Sequence, residues 1–138
     1  MYDAVFKNNL KDKVIEEKRM EEEILIVDDA MFMRRIIKDA LSEGGVSQFI
    51  EAKDGDEAIR LFKKHKPKLV LLDITMPGKS GIEVLEVLLK LEPGARVIMC
   101  SAIGQEATIE KAVRMGAYDF IVKPFQNDKL VEMVKKSL

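Results

Sequence analysis

Four apolar runs in this sequence each end at a residue type that can do chemistry. The pair Asp28-Asp29 follows the first run, and Asp73, Ser101 and Lys123 follow the other three. If these runs are parallel strands of one sheet, their carboxyl ends meet at a single edge, which is where open α/β sheets bind ligands. Three carboxylates, a hydroxyl and an ammonium would then lie together.

That combination is typical of a site for a divalent metal ion and a phosphoryl group. Clustered carboxylates repel one another, and Mg²⁺ both prefers such oxygen ligands and bridges to phosphate. Lys123 suits a phosphoryl oxygen, and Ser101 offers a hydroxyl donor to the same group. Singly, the Asp28-Asp29 pair also fits the N-cap of a helix, Asp73 a turn and Lys123 a solvated charge. Their joint placement at four strand ends favours the site.

The elements that must position these residues alternate along the chain. The predicted strands are Ile24–Val27, Gln48–Ala52, Lys68–Leu72, Ala95–Cys100 and Tyr118–Val122. Apolar residues recur at helical spacing between them, beginning with Met31, Ile36, Ile37 and Leu41, and most methionines are interpreted as core residues. Alternating strands and helices require right-handed crossovers and a parallel sheet covered on both faces, so the predicted fold class is α/β.

Composition sets the remaining bounds. The 138 residues suit one globular domain, and a net charge of −1 argues against nucleic acid or an anionic membrane surface as a partner. No apolar stretch approaches the roughly 18 residues that span a bilayer, and the N-terminus lacks a secretory signal. Cys100 is the only cysteine and lies inside an apolar run, which indicates a buried, inert thiol. We therefore expect a cytoplasmic protein.

Residues 1–22 differ from the rest of the chain. Tyr2, Phe6, Leu10 and Val14 fall four apart, which would place them on one face of a helix, and Glu16–Glu23 is almost entirely charged. We predict an N-terminal extension over residues 1–22, helical or partly disordered, followed by one domain over residues 23–138. The alternative is a helix that docks on the domain or on a second chain.

The ordered set of motifs resembles the receiver domain of bacterial two-component response regulators, and within that family the single-domain chemotaxis regulators. The matching segments are Val27–Arg34, Glu51–Ile59, Leu71–Leu85, Cys100–Gln105 and Gly116–Phe125. The likeness runs from about residue 24 to the C-terminus. It implies a flavodoxin-like three-layer sandwich, with a five-stranded parallel sheet in the order 2-1-3-4-5 and helices on both faces.

The resemblance also implies a role for each residue of the acidic site. Asp73 would be the nucleophile that accepts a phosphoryl group from a histidine kinase. Asp28, Asp29, Asp73 and the backbone carbonyl of Thr75 would hold Mg²⁺. Ser101 and Lys123 would contact the phosphoryl oxygens, with the lysine placed by a cis Lys123-Pro124 bond.

A switch and a partner surface are implied as well. Ser101 would move toward the phosphoryl group, and Phe120, which stands where many relatives have tyrosine, would turn inward. This would remodel the face of the fourth helix, fifth strand and fifth helix that docks on a motor switch protein. The residues implied on that face are Gly104, Ile109, Val113, Phe120 and Lys136.

The leading hypothesis is therefore a stand-alone receiver that carries a signal from a chemotaxis histidine kinase to the flagellar motor switch, because the chain ends soon after the last predicted helix. A dedicated phosphatase would be a further partner. A phosphorelay intermediate or a phosphate sink would use the same catalytic residues. A phosphatase with an aspartyl nucleophile is disfavoured because Thr75 stands where such enzymes need a second aspartate. Any activity is expected to be limited to self-phosphorylation with small phosphodonors and autodephosphorylation.

Overall fold

The computed structural model describes residues 9–14 and 23–138. Residues 9–14 are helical, and Leu10 and Val14 expose 50% and 42% of their surface. Tyr2, Phe6 and most of the charged run lie outside the described residues, so the N-terminal extension over residues 1–22 stays a prediction. Among the described helices, none combines the length and apolar character that crossing a bilayer requires.

Five strands and five helices alternate over residues 23–138. The strands are β1 (Ile24–Val27), β2 (Phe49–Ala52), β3 (Leu69–Asp73), β4 (Arg96–Ala102) and β5 (Asp119–Lys123). The helices are α1 (Met31–Glu43), α2 (Gly55–His65), α3 (Gly81–Leu91), α4 (Glu106–Met115) and α5 (Asn127–Ser137). Every predicted strand is present, with its ends shifted by two residues at most.

The strands form one parallel sheet in the order β2-β1-β3-β4-β5. Alternate residues of each strand point to opposite faces. Leu25 and Val27 pack under α2, α3 and α4, whereas Ile24 and Ile26 pack under α1 and α5. The predicted three-layer sandwich and strand order are confirmed. Because both faces of the sheet are covered, ligands reach it at its carboxyl edge.

The prediction that Met31 belongs to the core is wrong. Met31, expected on the buried side of α1, exposes 72% of its surface, and its neighbour Phe32 exposes 74%. Met31 lies six residues before the buried Ile37, which at about 100° per residue places it on a different side of the helix, whereas Met33 lies four residues before Ile37 and packs against the core. Two large apolar side chains are consequently exposed directly after the acidic pair.

Candidate functional site

The acidic residues meet at the carboxyl edge of the two central strands. Val27, the last residue of β1, pairs with Leu72 of β3, so Asp28 and Asp73 occupy equivalent positions one residue further on. Oxygen atoms of Asp28, Asp29 and Asp73 lie within 4.8 Å of one another. The first and last of these side chains are buried and Asp29 is exposed. The convergence expected from the sequence is therefore present.

The acidic pair does not cap the helix that follows it. The N-cap residue of α1 is Ala30, and no side-chain hydrogen bond caps this helix. Asp28 instead accepts a hydrogen bond from the Ala30 N–H at 2.9 Å through Oδ1 and one from Lys123 through Oδ2. The Arg34 guanidinium donates to the Asp28 carbonyl. These contacts orient the Asp28 carboxylate toward the site, and the capping interpretation is wrong.

Lys123 is the cation of this cluster. Its Nζ lies 2.8 Å from Asp28 Oδ2 and 3.3 Å from Asp73 Oδ1. Burial opposes its charge, but the hydrogen bond to Asp28 and the charge of Asp73 outweigh that effect and raise the pKa of Lys123, so the ammonium stays protonated. The Lys123-Pro124 peptide bond is cis, as the resemblance implied.

The surroundings of Asp73 raise the pKa of its carboxyl group. Burial raises the pKa of its carboxyl above the ordinary value of 3.8, the Lys123 charge opposes that shift, and the Asp28 charge adds to it. One ammonium against three carboxylates leaves a net charge of −2 among these four groups when all are ionised. Hard oxygen donors with excess negative charge are the ligand set that Mg²⁺ prefers. The residues present thus fit a divalent cation.

The backbone around Asp73 is closely supported by α3. A Cβ atom added at Gly81, the first residue of α3, would lie 2.3 Å from the Asp73 carbonyl oxygen and 2.7 Å from Ile74 Cα. Only glycine allows the helix to approach this closely. Thr75 follows in the same loop and is exposed, and its hydroxyl accepts a hydrogen bond from Gln105 at 2.7 Å.

Ser101 lies inside β4 rather than after it, paired with Val122 of β5. Its side chain is fully buried, and its hydroxyl has no hydrogen-bond partner among the described residues. A buried hydroxyl without a partner costs about 1–3 kcal/mol. A ligand with acceptor oxygens at this edge would relieve that cost.

Only some of the residues expected on the partner surface line the same groove. Ile109, Val113 and Phe120 line a shallow apolar groove of ≈ 550 Å³ between α4 and β5. Phe120 is 40% exposed. Gly104 and Lys136 are exposed but do not line this groove. We call the groove formed around Ile109, Val113 and Phe120 the α4–β5 groove.

Two contacts at the site had no counterpart in the sequence interpretation. Gln105 bridges the loops after β3 and β4, and Arg34 joins the Asp28 carbonyl to Glu51 of β2. An arginine at helical spacing after the acidic pair is a weak signal that could have indicated the second contact. Cys100, by contrast, is buried as expected, and burial raises the pKa of its thiol to about 12.

Comparisons with known proteins point to one family. A family model described as the response regulator receiver domain matches residues 24–135. The chemotaxis protein CheY of Bacillus subtilis is 48% identical over 119 residues, which cover 86% of this chain and 99% of that protein. CheY of Thermotoga maritima is 45% identical over 117 residues, covering 85% and 98%.

A solved structure shows the same fold. The receiver domain of NtrX from Brucella abortus superposes with a TM-score of 0.79 at 37% identity, covering 83% of this chain and 97% of that domain. The residues that the family model matches include the acidic cluster and Lys123. The chain belongs to the response regulator receiver domain family and is closely related to the CheY chemotaxis regulators.

Proposed function

We propose that this protein is a phosphorylation-activated chemotaxis response regulator of the cytoplasm, which accepts a phosphoryl group on Asp73 from a histidine kinase and signals by contact with the flagellar motor switch. The observation that carries the proposal is the cluster of three carboxylates around one lysine at the carboxyl edge of the sheet. The CheY relatives, of which the chain spans nearly the whole length, support the chemotaxis role.

The proposed chemistry is covalent catalysis by a carboxylate. One Asp73 oxygen bonds to phosphorus as the bond from phosphorus to the donor's imidazole nitrogen breaks, which leaves an acyl phosphate on Asp73 and a free imidazole on the kinase. Lys123 holds positive charge 3.3 Å from the reacting carboxylate. Asp28, Asp29, Asp73 and the Thr75 carbonyl would hold Mg²⁺, which when bound neutralises charge on the transferring group.

The same site couples to the proposed partner surface through Ser101. The Ser101 hydroxyl is buried without a partner, and an acyl phosphate on Asp73 would offer it an acceptor. Movement of Ser101 makes room for Phe120, now 40% exposed, to turn inward and reshape the α4–β5 groove. Each tenfold change in the ratio of active to inactive conformations requires about 1.4 kcal/mol of preferential stabilisation.

Catalytic activity is proposed to be limited to self-phosphorylation from small phosphodonors and autodephosphorylation, with a dedicated phosphatase as a further partner. The α4–β5 groove presents mostly apolar surface, which suits a short amphipathic segment of the motor switch protein. Gly104 and Lys136 would contribute the exposed rim of that contact.

The test is the affinity of a labelled motor-switch peptide in the presence of Mg²⁺, with and without beryllofluoride as a mimic of the phosphoryl group. We expect tightening of about tenfold or more in the wild type. Asp73→Asn should show no tightening, and Phe120→Ala should bind beryllofluoride but respond less.

Each negative result has a separate meaning. If beryllofluoride binds and the peptide affinity does not change, the motor output is wrong and a phosphorelay or phosphate-sink role replaces it. If ¹⁹F NMR shows no beryllofluoride bound to the wild type with Mg²⁺, the role of Asp73 as phosphoacceptor is wrong.

A further inference from the structure

The hydrogen-bond ladder between β3 and β4 ends abruptly beside Asp73. Asp73 pairs with Cys100, and the Ile74 N–H donates to the Cys100 carbonyl at 3.1 Å. One step further, a regular parallel ladder would join the Ala102 N–H to the Ile74 carbonyl. That carbonyl instead accepts from the Gly81 N–H at 2.8 Å. The Ala102 N–H therefore faces the β3 side of β4 with no strand partner.

The side chain of Gln105 accepts a hydrogen bond from the Ala102 N–H. Its Oε1 accepts from the Ala102 N–H at 2.6 Å, and its Nε2 donates to the Thr75 hydroxyl at 2.7 Å. A backbone N–H needs an acceptor, so this contact fixes which end of the carboxamide faces Ala102. One side chain thus joins the loop that follows the phosphoacceptor to the loop that follows Ser101.

Gln105 also begins the helix of the proposed partner surface. It is the N-cap residue of α4, and its backbone carbonyl accepts from the Ile109 N–H at 2.9 Å. Ile109 lines the α4–β5 groove. A change in the Gln105 side chain therefore acts directly on the first turn of the helix that shapes this groove.

We propose that Gln105 is a positioning residue that latches the two loops in the unphosphorylated conformation and is displaced when Asp73 is phosphorylated. This inference rests on the proposed function of Asp73. The Ala102 N–H adjoins the unpartnered Ser101 hydroxyl in sequence and faces the strand that ends at Asp73. A charged phosphoryl oxygen is a stronger acceptor than a neutral carboxamide, so it displaces Gln105 Oε1 from this N–H.

The latch competes with the phosphoryl group, so its removal should tighten the binding of a phosphoryl mimic. We expect Gln105→Met and Gln105→Ala to bind beryllofluoride with Mg²⁺ about fivefold more tightly than the wild type, as the loss of one net hydrogen bond from the unliganded state implies. Gln105→Met keeps the side-chain volume and so separates the hydrogen bonds from packing. A merely structural role would weaken binding instead.

The chain offers a matched control. Gln126 is the N-cap residue of α5 in the loop after β5, and it makes no side-chain hydrogen bond to its helix. Gln126→Ala should leave beryllofluoride affinity unchanged. Without beryllofluoride, hydrogen exchange of the Ala102 amide should be faster in Gln105→Met than in the wild type. With beryllofluoride bound, the two proteins should protect this amide equally.

The outcomes separate the latch from the function on which it rests. Beryllofluoride affinity equal to or weaker than wild type in Gln105→Met would overturn the latch while leaving Asp73 as phosphoacceptor. If the wild type binds no beryllofluoride, the proposed function fails. The latch is then judged by the unliganded Ala102 amide, and equal exchange in wild type and Gln105→Met overturns it.

Discussion

Lys123 donates a hydrogen bond to Asp28 at 2.8 Å, although 95 residues separate them along the chain. Lys123 ends β5 at one edge of the sheet, whereas Asp28 follows β1, three strands away in the order of the sheet. The lysine side chain therefore crosses the ends of β4 and β3 to reach it. The Lys123 ammonium thus links the end of β5 to the end of β1, and it also lies 3.3 Å from Asp73 Oδ1.

Asp73→Asn should stabilise the protein in buffer without Mg²⁺ at neutral pH. Folding raises the pKa of the Asp73 carboxyl, chiefly through burial, so ionised Asp73 opposes folding. This penalty is absent below the ordinary value of 3.8, grows as the pH rises toward the folded pKa, and is complete above it. Urea unfolding across this pH range should show that the free energy of unfolding of the variant increases relative to that of the wild type as the pH rises.

Asp39→Asn is the control for that experiment, because Asp39 is exposed in α1 and its nearest cation, Arg35, is 4.0 Å away. It should change stability little at any pH. Saturating Mg²⁺ should stabilise the wild type and close the gap to Asp73→Asn. An Asp73→Asn variant less stable than wild type at neutral pH without Mg²⁺ would show that the Lys123 contact outweighs burial.

Gly81→Ala should destabilise the fold although alanine is the better helix former. The added methyl would meet the Asp73 carbonyl oxygen at 2.3 Å, and a backbone atom cannot turn away as a flexible side chain would. We expect a loss of about 2 kcal/mol in the free energy of unfolding, as for other overpacked sites. Denaturant unfolding measures it.

Gly94→Ala provides the matched comparison, because its new methyl would find only Glu92 Oε1 at 3.5 Å. This variant should stay within about 0.5 kcal/mol of wild type. Equal stability of the two alanine variants would contradict the close approach of α3 to Asp73.

Glu51→Gln should destabilise the protein modestly at neutral pH and not at all in acid. The Lys38 and Arg34 side chains donate to Glu51 at 2.9 and 3.1 Å, and despite some burial these contacts lower the pKa of its carboxyl below 4.5. The stabilisation is therefore complete above 4.5 and lost as the pH falls through the folded pKa. Partial exposure limits it to less than about 1 kcal/mol.

Urea unfolding of this variant at several pH values is the measurement. Glu86→Gln, which removes an exposed pair with Lys90, should have a smaller effect. A difference between Glu51→Gln and wild type that persisted unchanged into acid would mean that packing, and not charge, explains the loss.

Cys100 should not react with thiol reagents in the native protein. Its side chain is 2% exposed, and burial raises the pKa of the thiol to about 12, which leaves roughly one thiol in 10⁴ ionised at pH 8. Reaction with a chromogenic disulfide should follow global unfolding. Ser47→Cys places a second thiol at an exposed position and should react at once. Rapid labelling of both thiols in native buffer would show that β4 is accessible.

The sequence was most informative where a simple apolar pattern determines the structure, as it does in the strands. Strands buried on both faces read as unbroken apolar runs, so their order along the chain and the convergence of Asp28, Asp73 and Lys123 followed directly. Met31 was the exception: six residues before Ile37, it lies about 120° around the helix from that buried residue and is exposed. Gln105 lies in a loop, where the sequence has no regular apolar pattern to interpret. Its hydrogen bonds to Ala102 and Thr75 depend on the residue at which β3 ends, which the sequence does not show.

The division of the core between the two faces of the sheet has a consequence for insertions and deletions. Leu71 belongs to one cluster and Leu72 to the other, and Asp73 follows them directly. A one-residue shift in the register of β3 would move Leu71 and Leu72 to opposite faces of the sheet and displace Asp73 from the acidic cluster. Length changes are better tolerated in exposed turns between the elements, where few side chains are packed. The position of the Asp73 carboxylate is thus coupled to the packing of the core, so a length change in β3 that moved this carboxylate would also destabilise the fold.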